Sequence, residues 1–194
     1  AVNIISDGEG SLAKVETGDG LEGSIQATAK DDGTATFEVK EGGVVSEDSK
    51  SYNAAVDLDN QGGHISGEIT GNVTSDTTAV DISNSENYVY DLNDDDFKAL
   101  GDVSWVINGN NYSSYDEATN TSYSFTVNED GKATWGSKIV REAGDSALVI
   151  NGNVTTTSDD SNKWSVTAAS INTKYDGSKA TLTVNGDVSA TNET

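Results

Sequence analysis

The sequence predicts an all-β fold, an elongated β-solenoid built from repeats of roughly 40 residues. Three observations carry that expectation: alternating apolar and polar positions, a near absence of helix signals, and a phrase that recurs along the chain. Composition agrees. Apolar residues make up 34% of 194, below the usual share for a compact globule. Ser, Thr, Asn, Asp and Gly fill the difference, and they suit turns and exposed strand faces.

The alternation is legible at Ser24-Ile25-Gln26-Ala27-Thr28, Thr36-Phe37-Glu38-Val39, Tyr123-Ser124-Phe125-Thr126-Val127 and Thr181-Leu182-Thr183-Val184. Each reads as a strand with one apolar face. Asp32-Gly33, Asp130-Gly131 and Asp176-Gly177 read as turns between strands. The best helix signal is Asp94-Asp95-Asp96-Phe97-Lys98-Ala99-Leu100 before Gly101, which makes one or two turns at most.

The recurring phrase is an apolar residue, any residue, Gly, a small polar residue and usually another apolar one. It occurs at Leu21-Glu22-Gly23-Ser24-Ile25, Ile69-Thr70-Gly71-Asn72-Val73, Ile107-Asn108-Gly109-Asn110-Asn111, Ile150-Asn151-Gly152-Asn153-Val154 and Val184-Asn185-Gly186-Asp187-Val188. Gly23, Gly71, Gly109, Gly152 and Gly186 are therefore expected at equivalent bends, where glycine's freedom or slimness is needed. A unit this thin cannot bury its own face, so neighbours must stack. The whole chain, 1–194, is expected to be a single elongated unit, one of a tandem array or of a filament. Ala1 reads as a processed end or an internal cut. The last copy stops before its second strand, and Ala1-Val2-Asn3-Ile4-Ile5-Ser6 matches the missing piece, as Ala79-Val80-Asp81-Ile82-Ser83 completes the copy at Gly71. Val2, Ile4 and Ile5 at one end and Val184 and Val188 at the other are thus the candidate assembly residues, with residues 1–6 of one unit beside 184–191 of the next.

Several function classes are excluded or disfavoured. With a formal net charge of −22 and eleven Lys and Arg, no basic patch exists for nucleic acid or an anionic membrane surface. No segment reaches the apolar length of a membrane span. Cysteine, proline and methionine are absent, which removes disulfides and thiolate chemistry. His64 is the lone histidine, with no nucleophile elbow to serve it. Arg141, the lone arginine, sits beside Glu142 as a surface pair. No catalytic residue is assigned. Calcium is the one cofactor the acidic loops would suit: Asp57 and Asp59 in one, Asp94, Asp95 and Asp96 in the other, offer the hard oxygens it prefers. The same loops also read as solvated surface. Trp105, Trp135 and Trp164 and the tyrosines suit a core more than a sugar platform. The Asn-x-Ser/Thr triplets at Asn72, Asn111, Asn120, Asn153 and Asn192 are what this composition yields by chance.

At Gly71-Asn72-Val73-Thr74-Ser75-Asp76-Thr77-Thr78-Ala79-Val80 and Val184-Asn185-Gly186-Asp187-Val188-Ser189 the text resembles repeat-rich bacterial surface proteins, β-helical adhesins and autotransporter passenger domains. That resemblance covers the repeat phrases only. It implies an elongated extracellular β fold used for display, adhesion or filament building. The Asp-Gly turns suit antiparallel hairpins instead, so a serial antiparallel β-sandwich with strand exchange is the alternative architecture. The expected function is a secreted or cell-surface structural subunit, not an enzyme, that joins copies of itself head to tail. A carbohydrate-binding adhesive module comes second, and a polysaccharide-active enzyme a distant third.

Overall fold

In the computed structural model every regular element among the described residues is a β-strand. The described residues are 1–46, 54–84, 88–91, 111–116, 121–127, 133–140, 143–158, 166–173 and 177–192. They divide by contacts into two compact units: residues 1–85 with 143–194, and residues 86–142.

The first unit holds three parallel five-stranded sheets, and the chain visits them in rotation. Circuit one is β1 (Val2–Asp7), β2 (Leu12–Thr17) and β3 (Leu21–Glu22). Circuit two is β4 (Ile25–Lys30), β5 (Thr34–Val39) and β6 (Val44–Ser46). Circuit three is β7 (Val56–Gln61), β8 (His64–Ile69) and β9 (Val73–Ser75). After β10 (Thr78–Asn84) the chain enters the second unit, where it forms β11 (Tyr88–Asp91), β12 (Asn111–Asp116), β13 (Thr121–Val127) and β14 (Ala133–Val140). It returns as β15 (Asp145–Ile150) and β16 (Val154–Ser158) to finish circuit four, and β17 (Thr167–Thr173), β18 (Lys179–Val184) and β19 (Val188–Asn192) make circuit five.

The sheets run β1-β4-β7-β10-β17, β2-β5-β8-β15-β18 and β3-β6-β9-β16-β19, each pairing parallel and in register. Register stacks like on like. Ile4, Ala27, Leu58, Ile82 and Ile171 form one inward column. Val15, Phe37, Gly67, Leu148 and Leu182 form another, and Leu21, Val44, Val73, Val154 and Val188 a third. In the inner circuits these side chains are almost wholly buried, and the Val, Leu, Ile and Phe among them each contribute about 1.5–3 kcal/mol by leaving water. Gly67 is the exception that fits its column: a Cβ there would overlap the Phe37 ring, which fills the space instead.

The alternation at Thr36–Val39, Tyr123–Val127 and Thr181–Val184 falls on β5, β13 and β18. Residues 94–100, the helix signal, lie outside the described residues. Two expectations need correction for the first unit. The antiparallel sandwich does not describe it, because all its named strand pairs are parallel. The Asp-Gly signal misled: Gly33 joins β4 of the first sheet to β5 of the second, and Gly177 joins β17 to β18 in the same way. Positive φ at Asp31, Asp32 and Gly177 bends the chain between sheets as readily as it folds a hairpin. Antiparallel strand pairs, among the described residues, belong to the second unit, whose sheet runs β11-β14-β13-β12; the first unit has a lone antiparallel bridge, Lys30 to Gly62.

Nor is forty residues the length of a circuit. Val2 pairs with Ile25, an offset of 23 (25 − 2), and Leu21 with Val44, again 23 (44 − 21). The glycine phrase skips circuit two, where the corresponding corner is Glu41-Gly42-Gly43-Val44, and extra segments between strands stretch the later spacings.

Candidate functional site

The features that distinguish this fold from a closed globule are the two outer edges of its parallel sheets. At one edge lie β1, β2 and β3; at the other β17, β18 and β19. An edge strand presents a row of N–H and C=O groups toward whatever comes next. Side chains follow. Val2, Ala13, Val15 and Leu21 on the first edge, and Ala169, Ala180, Leu182 and Val184 on the other, point into the core columns yet are only partly buried. Ile171 and Val188 occupy inward columns and are 48% and 54% exposed, while Ile82 and Val154, one circuit inward in the same columns, are at 0%. At this edge an inner circuit is covered on both sides and the outer circuit on one, whereas Ile4 on the β1 edge is buried to 2% exposure by its own unit.

The candidate assembly residues sit on these edges but not all in one sheet. Val2 and Ile4 are in β1 of the first sheet and face inward; Ile5 faces outward, 57% exposed. Val184 ends β18 in the second sheet, and Val188 begins β19 in the third. The opposite edge of the sheet that holds β1 is β17, a strand not singled out from sequence.

Gly71, Gly152 and Gly186 stack at one corner, between the second and third sheets. A Cβ on Gly152 would come within 2.5 Å of Asn72 Oδ1 and the Gly71 carbonyl oxygen. Gly23 occupies a different corner, between β3 and β4, with φ of +118°. Gly109 lies outside the described residues. The corner that holds Gly71 carries a feature the glycine phrase did not reveal. The Asn153 N–H donates to Asn72 Oδ1 at 2.8 Å, and the Asp187 N–H donates to Asn153 Oδ1 at 2.8 Å. Asn72 and Asn153, the small polar residues after Gly71 and Gly152, thus each tie their circuit to the next; the recurrence of that residue in the phrase was the available signal.

Asp57 and Asp59 face outward on β7. Asp57 lies in register between Gln26 of β4 and Asp81 of β10. Partial burial, with Asp81 and Asp59 adding repulsion, pushes its carboxyl up to about 6. Gln61 Nε2 donates to Asp59 Oδ2 at 2.6 Å. Asp94, Asp95 and Asp96 lie outside the described residues. Among the described residues no group of three or more His, Cys, Asp or Glu is placed to hold a metal. His64 is exposed, with Nδ1 3.9 Å from Asp145 Oδ2. On the outward face of the second sheet Glu16 sits between Lys14 and Lys40, at 2.5 and 2.8 Å. Hydrogen bonds from Lys14 and then Lys40 hold its carboxyl down to about 2.

A second set of buried polar groups was also missed. Asn60 and Asn84 are register partners on β7 and β10, both buried. Asn60 Nδ2 donates to the Gly63 carbonyl and to Ser146 Oγ, each at 3.0 Å, and the Gly63 N–H returns to Asn60 Oδ1 at 2.8 Å.

In the second unit Tyr88 and Tyr90 fall on β11, Tyr112 on β12, and Tyr123 and Phe125 on β13, with Tyr112 the register partner of Phe125 and Tyr123 of Lys138. Trp135 falls on β14; Trp105, Arg141 and Trp164 lie outside the described residues. No helix among the described residues is long and apolar enough to cross a membrane. Comparison of the chain with protein-family models, curated proteins and solved structures returns no match.

Proposed function

We propose that the chain is a secreted or cell-surface structural subunit, that its first unit is a β-solenoid, and that copies stack head to tail into a filament or long surface adhesin. One observation carries the reading: the apolar columns of all three sheets run through to both edges and leave Ile171 and Val188 half-exposed there. Continuing the ladders past the last circuit sets β17 against β1, β18 against β2 and β19 against β3. Ile171 then stacks beside Ile4, which its own unit already buries, while Leu182 covers Val15 and Val188 covers Leu21. The outward pairs are compatible too: Ser170 meets Asn3, Lys179 meets Leu12, Thr181 meets Lys14 and Thr183 meets Glu16, so no strand position opposes two carboxylates. Such a contact is heterologous and gives an open filament unless rotation closes it. In this geometry residues 1–6 meet residues 167–173, and Val184 and Val188 meet β2 and β3, instead of the pairing expected from sequence. The reading assigns no catalytic step.

Sedimentation and negative-stain microscopy across a concentration series test it. The parent chain is expected to form filaments or a ladder of oligomers, and Ile171→Asp to remain monomeric with its fold intact by circular dichroism. A parent that stays monomeric at every concentration, or an Ile171→Asp variant that assembles equally well, would sink the proposal.

The second reading, a carbohydrate-binding module, has in its favour the number of aromatic residues on the second unit's strands, since sugars stack on aromatic rings. Quenching of tyrosine and tryptophan fluorescence by soluble oligosaccharides would support it; its absence across a glycan panel would remove it.

A further inference from the structure

We infer that residues 86–142 are a guest module that folds by itself, carried on a corner of the first unit that closes without it. The corner has an uninterrupted counterpart one circuit away. Asn60 is the register partner of Asn84, and His64 of Asp145, so Gly63 and Gly144 are equivalent. In circuit three two residues, Gln61 and Gly62, span the corner, and Asn60 clamps it through the Gly63 carbonyl and N–H. In circuit four Asn84 Nδ2 donates to the Gly144 carbonyl at 3.3 Å, and Ser146 Oγ donates to Asn84 Oδ1 at 3.3 Å. The strand that leaves and the strand that returns are therefore one hydrogen bond apart, although the second unit intervenes in sequence. Asn60 Nδ2 also donates to the Asp145 carbonyl at 3.0 Å, which fixes the returning strand to circuit three.

The guest's own ends meet in the same way. Its first strand, β11, pairs with its last, β14, and Tyr88 lies opposite Val140. Paired residues in an antiparallel ladder have Cα atoms about 4.5–5.5 Å apart. The ends are thus close together within each unit taken by itself, the condition under which domain insertion is tolerated. All three strand pairings of the guest sheet are internal to it. The result is a division of labour: the host carries the sheet edges, and the guest is free to vary its surface without altering them. This inference stands whether or not the host assembles.

Hydrogen exchange on the full chain tests the independence. Leu58→Ala opens a cavity in the host core at a fully buried position, where such a loss costs about 2 kcal/mol or more. Amides of β4, β7 and β10 are expected to exchange roughly thirtyfold faster or more, which is the same 2 kcal/mol in rate terms, and those of β12, β13 and β14 to change less than about threefold. A common factor for both sets overturns the independent guest. Closure of the corner is tested by replacing residues 85–143 with Gln-Gly, copying circuit three. The product is expected to fold, with the host's urea midpoint kept; an unfolded product overturns the closed corner.

Discussion

Asp57 offers a stability change whose sign and pH window follow from the structure. Its carboxyl is flanked in register by Gln26 and Asp81, with Asp59 two residues along its own strand. Adjacent strands lie about 4.8 Å apart, so the Asp81 charge cannot be avoided. Partial burial, then Asp81 and Asp59, raises the group from 3.8 to about 6. A raised acid destabilises the folded state once it ionises. Below about pH 3 the group is protonated in both states and contributes nothing. The penalty grows as pH rises from there, because the unfolded chain loses its proton first, and it is complete above about pH 7. Undiscounted, the shift corresponds to about 3 kcal/mol; solvent reaches part of the carboxyl and screens it, so about 1.5 kcal/mol is the working figure. Asp57→Asn removes the charge and keeps the shape. At pH 7.5 it is expected to stabilise the chain by about 1.5 kcal/mol and raise Tm by roughly 3–6 °C. Urea unfolding of parent and variant from pH 4 to 8 is the assay. The difference should fall to about a fifth of its plateau by pH 4 and level off above about pH 7. A variant no more stable than its parent at pH 7.5, or a difference independent of pH, would refute the reasoning.

Other expectations follow from single positions. Leu148→Ala, at a site 1% exposed, should cost about 2–5 kcal/mol by urea unfolding. Asn60→Ala strips partners from the Gly63 N–H and carbonyl and should cost about 2–4 kcal/mol, far beyond a surface asparagine. Gly152→Val, which would collide with Gly71 and Asn72, should lose roughly 2 kcal/mol more than Gly8→Val, where a Cβ meets nothing within 4 Å and only the positive φ resists. Equal melting points for those two variants would count against the stacked corner. With 33 acidic residues against eleven basic ones, head-to-tail assembly should strengthen between about 20 and 500 mM salt as repulsion is screened; sedimentation that shows the opposite trend would mean the contact is held by ion pairs.

The sequence by itself determined the class of structure. Alternation at Ile25 to Ala29 and Thr34 to Val39, and the scarcity of helical periodicity, sufficed for strands, because a two-residue period is written locally. It also pointed to one corner, at Gly71, Gly152 and Gly186, where close backbone approach demands glycine in each copy. It did not determine circuit length: the same corner is built by Gly42 and Gly43 in circuit two, and Gly23 joins the phrase by text while turning a different corner. Nor could it choose parallel over antiparallel pairing, since a residue with positive φ after β4 serves either. Those outcomes depend on which strand lies beside which, a property of distant residues. Only the tertiary structure set Asn60 beside Asn84 and Gly144, found β17 at the edge across the sheet from β1, and separated residues 86–142 as a second unit. Register, burial on two sides and the meeting of chain ends are set by partners tens of residues away, which no local pattern records.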